Sequence, residues 1–388
     1  MQLHRRLIQW IIFLILWSAG ATAQAVEIGG EVYFIYYYVL PTFDGRYDPR
    51  AATNDFSAFD ITRARLDLSG SPSPQWSAHL ATDVERVHNY EADVDNDGEM
   101  ETVDTPDAGR FTLVLRYAEI IWQPLDYLGI DAGIIETPWI GYVDRANGLR
   151  FVDQLLDERV GWNGNLTDLG VALVGQWPGG FGDYRIQVSN GGGTDHFETN
   201  REKAAEGRFT FIPAFGSGSW SNLSFSLGGR YNTVDNPPGN EINRDVVGRG
   251  LLHYGGPLLN LGLESSLDAN WAEERAKPSF YGLASTAWTS VHIGELFEPF
   301  VRIERYDPTI RDVAAPREGS RIDGDPLAAD ADGYWRALAG LALHPASKVQ
   351  AAFAGRIRWF DEQYDVGPRT GDNIAPEIDL RACLAFEL

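Results

Sequence analysis

The chain is short of residues that cross-link, catalyse or hold polyanions. Its one cysteine, Cys383, has no partner for an internal disulfide. It has only seven histidines, and no Gly-x-Ser-x-Gly, His-Glu-x-x-His or phosphate loop is present. Catalytic chemistry therefore finds little support. Basic residues are scarce as well. Thirty-two Lys and Arg stand against 55 Asp and Glu, for a formal charge of −23. That balance argues against nucleic acid as a partner. It does not argue against a membrane, because a barrel inserts by its apolar belt. Long apolar runs are also missing. After residue 25 nothing approaches the ~18 apolar residues that a membrane helix needs. If such a chain spans a membrane, it does so with strands closed into a barrel.

The one apolar run, from Leu7 to Trp17, follows Arg5 and Arg6. Ala21-Thr22-Ala23 and Ala23-Gln24-Ala25 then fit small-x-small cleavage sites. This predicts a secretory signal peptide over residues 1–25, cleaved after Ala23 or Ala25. It carries no acid, so its removal makes the remainder more acidic. Residues 26–388 are expected to form a single outer-membrane β-barrel domain.

What the chain does have is alternation. Ile378, Leu380, Ala382, Leu384, Phe386 and Leu388 share one face of a strand over 376–388. Glu377, Asp379, Arg381, Cys383 and Glu387 share the other, because side chains alternate along a strand. The same pattern recurs at 26–40, 60–70, 76–91, 111–124 and 128–138, and on through 348–360. In all, sixteen strands are predicted, with seven short turns and eight long connections. An even strand count with that long-short rhythm is the pattern of a bacterial outer-membrane barrel. A soluble all-β protein of two or more domains would alternate too, but would not predict the rhythm. Sixteen strands leave an aqueous lumen. The segment 111–124 is irregular, because Arg116 interrupts its alternation.

Residues 61–70, Ile-Thr-Arg-Ala-Arg-Leu-Asp-Leu-Ser-Gly, precede Trp76-Ser-Ala-His-Leu80. Residues 127–138 and 168–173 carry two further strand motifs. Together these resemble the phosphate-selective porin O and P family over roughly residues 55–180. The resemblance implies a sixteen-stranded diffusion channel, a homotrimer, and a third outer loop folded inward. Its partners would be outer-membrane lipid and small hydrophilic solutes or ions. The chain departs from the family at Ile134 and Glu136, where Gln and Lys are frequent, so negative charge replaces positive. Two other functions fit the same wall: a channel selective for phosphate-like oxyanions, and a barrel enzyme acting on lipid.

Three groups of residues are candidates for function. The connection 139–167 is too long for a passive turn. Val152, Leu155, Leu156 and Val160 have near-helical spacing there, which suggests a short helix. Folded inward, the loop would narrow the pore and bring in Asp144, Arg145, Arg150, Asp153, Asp157, Glu158 and Arg159. Left outside, those charges would simply be solvated.

Arg63, Arg65, Arg336, Arg356, Arg358 and Arg381 all fall on polar faces of strands that adjoin once the barrel closes. They would form a positive wall in the outer half of the lumen, leaning toward anions, or pair structurally with Asp67, Glu377 and Asp379. An acidic loop opposite such a wall would set up a transverse field.

The third group is Asp93, Asp95, Asp97, Glu99 and Asp104, around Gly98. Their spacing matches a calcium loop in part, with Asp104 in place of the usual Glu. A solvated acidic loop is the alternative. No other cofactor is expected.

Overall fold

The computed structural model describes residues 26–40, 57–86, 90–92, 101–103, 110–160, 166–193, 203–213, 219–236, 241–272, 280–307, 333–360 and 377–388. β1 (Glu27–Val39) pairs with β2 (Ser57–Ser73), and β2 with β3 (Trp76–Arg86). β3 pairs with β6 (Phe111–Leu125), followed by β7 (Leu128–Glu136), β8 (Thr167–Gln176) and β9 (Gly182–Ser189). β10 (Ala204–Phe211), β11 (Leu223–Asn236), β12 (Glu241–Gly255) and β13 (Leu259–Ala272) continue the wall. β14 (Phe280–Val291), β15 (Phe297–Asp307), β16 (Tyr334–Ala346) and β17 (Val349–Phe360) come next. β18 (Glu377–Glu387) pairs with both β17 and β1, which closes a sixteen-stranded antiparallel barrel.

Each predicted strand falls on a barrel strand. Boundaries shift by a few residues at many strands, as where the expected 60–70 becomes Ser57–Ser73, and one end differs in kind. The expected strand 76–91 ends at Arg86, and β4 (Tyr90–Ala92) pairs instead with β5 (Glu101–Val103) in a separate two-stranded sheet.

Alternation sets the two surfaces of the wall. On β13, Leu261, Leu263 and Leu267 are exposed, while Glu264, Ser266 and Asp268 on the opposite face are buried. Leu263 is 56% exposed and Glu264 2%. Apolar residues outside and polar residues inside invert the arrangement of a soluble core, as a lipid-embedded barrel requires. Closure leaves the barrel no free strand edge.

Arg116 interrupts the pattern for a local reason. The β3–β6 ladder shifts between Ala81 and Thr82, which face Tyr117 and Leu115. Arg116 is the extra residue of a bulge, so the strand keeps its lipid face on both sides of it.

Between β7 and β8 lie α1 (Ile140–Asn147) and α2 (Leu156–Arg159). The spacing of Leu155, Leu156 and Val160 pointed to the second and gave no sign of the first. Gly148 ends α1 at a φ of 74°, returning its N–H to the carbonyl of Asp144.

Candidate functional site

Residues 137–160 leave the end of β7 and pack against the buried faces of strands as far away as β18. Three apolar contacts hold them. Trp139, Ile140 and Val143 cluster with Leu251 of β12 and Trp288 of β14. Leu149, Phe151 and Val152 join Phe300, Leu338, Ala354 and Cys383. Leu156 and Val160 meet Ala284, Tyr306 and Tyr334. Polar contacts fix the register between them. The Trp139 indole donates to Glu264 Oε1 at 2.6 Å, and Arg208 Nε to the Pro138 carbonyl at 2.9 Å. Gly228 is required beneath Trp139, because a Cβ there would lie 2.5 Å from the indole ring.

The ionic contacts centre on Asp153. Its carboxylate meets Arg302 and Arg336 at 2.7 Å, Arg381 at 2.8 Å and Arg159 at 3.4 Å. Glu304 lies beside it, bridging Arg336 at 2.6 Å, Arg302 at 2.9 Å and Arg159 at 3.0 Å. Burial alone would raise the Asp153 carboxyl. Arg336, Arg381, Arg159 and Arg302 outweigh it and hold that carboxyl well below its ordinary value. A second contact joins Asp157 to Ser266 Oγ at 2.6 Å and to Arg249 at 3.5 Å.

A cavity of about 570 Å³ lies between the segment and the wall on the β1, β2, β3, β6, β7 and β9 side. Six carboxylates and five guanidinium groups line it. Most are paired. Arg63 sits 2.9 Å from Glu31, and Arg65 sits 3.0 Å from Asp67. From the loop side, Arg145 reaches Glu136 at 2.6 Å and Arg150 reaches Glu158 at 2.5 Å. Asp144 lies 3.7 Å from Arg150. Burial pushes the Asp144 carboxyl up, against the pull of Arg150 and Arg63.

The seven loop residues singled out from the sequence thus divide. Asp144, Arg145 and Arg150 line the cavity. Asp153, Asp157 and Arg159 bind the wall, and Glu158 holds Arg150.

The six wall arginines divide too. Arg63 and Arg65 line the cavity. Arg336 and Arg381 are turned onto Asp153, Arg356 pairs with Asp379, and Arg358 lies over the Tyr334 ring at 5.6 Å. All but three residues of the calcium-like stretch, together with the leader 1–25, lie outside the described residues. The exceptions, 101–103, form β5.

Arg302, Glu304, Arg249, Glu264, Glu119 and Asp131 were not foreseen. The parity that selected the arginines would have found them, had it been applied to acids and to β12–β15.

No family model and no curated protein matches the chain. Solved structures do. An anion-selective porin from Comamonas acidovorans aligns with a TM-score of 0.63 at 10% identity, covering 94% of this chain and 99% of that one. OmpT, an outer membrane protein of Vibrio cholerae in a trimer form, gives 0.57 at 9% identity, covering 94% and 99%. The outer membrane channel DcaP of Acinetobacter baumannii gives 0.60 at 11% identity, covering 94% and 97%. At such identities the likeness is one of fold.

Proposed function

We propose that this protein is a porin of a Gram-negative outer membrane, passing small hydrophilic solutes and ions by diffusion. One observation carries the reading: the docked segment 137–160 leaves a charged cavity of about 570 Å³ along one side of the wall. A loop held across the lumen narrows the path. The remaining gap is lined by charges of both signs, which favour hydrated, polar solutes over apolar ones. A homotrimer is the assembly we assign, supported by the trimer form of the Vibrio relative in fold.

The finer reading, a phosphate-like oxyanion channel of the porin O and P family, would need guanidinium groups free to meet the solute. Arg63 and Arg65 face the cavity but already sit on Glu31 and Asp67, and Glu136 lines it as an acid. General passage is therefore the better assignment. The test is incorporation of detergent-purified protein into planar bilayers. Stepwise ohmic conductance is expected. A protein that inserts without conducting would overturn the reading and leave the lipid enzyme as the alternative.

We also propose calcium binding by Asp93, Asp95, Asp97, Glu99 and Asp104, on sequence spacing alone. Titration calorimetry should show calcium heat in the native chain and none in Asp95→Ala/Asp97→Ala. Equal heats would leave a solvated acidic loop.

A further inference from the structure

The ion pairs along the cavity wall form a chain, and it breaks at one place. Arg65 meets Asp67, which takes His79 Nε2 at 2.9 Å, and His79 Nδ1 reaches Glu119 Oε1 at 3.1 Å. Asp131 follows, and its Oδ2 accepts from Arg185 at 2.7 Å. Signs alternate until Glu119 and Asp131, where two acids adjoin. They are diagonal neighbours on paired strands, since Glu119 faces Gly133 and Asp131 faces Ile121. Both side chains lie on the same face of the wall and line the same cavity.

Two carboxylates placed so need a donor between them, because an ionised carboxylate only accepts. Among the described residues none donates to the second Asp131 oxygen. Asp131 is 1% exposed, yet its Oδ1 is buried without a hydrogen-bond partner. Leaving such an oxygen bare is unfavourable, because it has lost water and gained no donor. Both residues line the open cavity. Tyr117 and Ile121 line it on the same strand as Glu119 and offer apolar surface for a short alkyl chain.

We propose that Glu119 and Asp131 form a docking station for primary ammonium groups on solutes in transit. The inference rests on the porin reading for its purpose, though not for its test. A primary ammonium has three N–H donors around one positive charge, enough to satisfy Asp131 Oδ1 and the Glu119 carboxylate together. A quaternary ammonium has the charge without the donors. The station therefore distinguishes the two, whereas plain attraction to negative charge would not. Docking is weak and brief, as passage requires: a site that holds too firmly would stop the flow.

The test is saturation-transfer NMR on the full chain in detergent, with ethylammonium and tetramethylammonium as probes. Ethylammonium is expected to give saturable transfer and tetramethylammonium much less. Asp131→Asn and Glu119→Gln should each weaken ethylammonium roughly tenfold or more, as loss of one charge-assisted hydrogen bond predicts. Glu119→Gln keeps the Asp131–Arg185 pair, so it remains readable even if the other variant folds poorly. No transfer from ethylammonium, equal transfer from both probes, or unchanged affinity in Glu119→Gln would each overturn the proposal, the last two leaving bulk charge attraction or a proton shared by the two acids. Absent conductance in bilayers would count against the porin reading and not against the station, since the NMR readout does not depend on conduction.

Discussion

Replacing Asp153 with alanine is expected to loosen the segment 137–160 and raise single-channel conductance. The carboxylate is a meeting point for Arg159, Arg302, Arg336 and Arg381, which come from the segment itself, β15, β16 and β18. Removing one partner from a buried ionic cluster costs about 3–5 kcal/mol, because the remaining charges stay buried and uncompensated. Here the guanidinium groups would be left with Glu304 and Asp379 between them. Their repulsion acts at the contact between segment and wall. The apolar clusters around Trp139 and Phe151 oppose release, so partial detachment with noisier current is the expected form. Proteolysis within 137–160 should quicken in parallel. The pH dependence has a definite sign. A carboxyl held below its ordinary value contributes fully above the unfolded carboxylate range near ~4, and loses that contribution as pH falls through the folded value. On the porin reading, the native protein should therefore keep its conductance at neutral and mildly acid pH and loosen only in strong acid. Asp153→Ala should be loose throughout. Unchanged conductance and unchanged proteolysis in the variant would show that the apolar clusters alone hold the segment.

The wall was legible because its signal is repeated. Each strand alone is weak, but sixteen alternating segments joined by short and long links admit few other arrangements. Even Arg116 fits once the bulge is seen, and a bulge has no sequence mark beyond the interruption itself.

The site was legible only in its composition. Parity placed Arg63, Arg65, Arg336, Arg356, Arg358 and Arg381 on polar faces, and the structure puts Arg63, Arg336 and Arg358 among the buried residues. Parity carries no information about partners. Arg336 and Arg381 turn to Asp153, which lies some two hundred residues away in sequence, and no local spacing could pair them. The helix α1 was missed for a related reason. Its buried face, with Ile140 and Val143, is defined by the strands it meets and not by a long periodic run. Gly133, Gly141 and Gly228 likewise read as ordinary strand or loop glycines until Trp139 is seen against Gly228.

Under the proposed porin function, Arg63→Ala/Arg65→Ala should turn selectivity toward cations. The lining now holds six carboxylates against five guanidinium groups, which is close to balance. Removing two of the five leaves Glu31 and Asp67 short of their nearest partners and the passage clearly negative. A permeating ion within ~4 Å of one unit charge gains or loses about 1 kcal/mol in water, a factor of roughly five in partition. The low-dielectric wall raises that figure, and the counter-ions of salt lower it. The cation-to-anion permeability ratio should therefore rise severalfold in ~0.01 M salt, where the Debye length is ~30 Å, and much less in ~1 M, where it is ~3 Å. Arg356→Ala/Arg358→Ala provides the contrast. These arginines share the polar face but do not line the cavity; they lie against Asp379 and Tyr334. Their loss should leave the reversal potential nearly where it was. Reversal potentials in a salt gradient measure both variants. If the second pair shifts them more than the first, the ion path runs along β16–β18, and the cavity beside β2 is not the route.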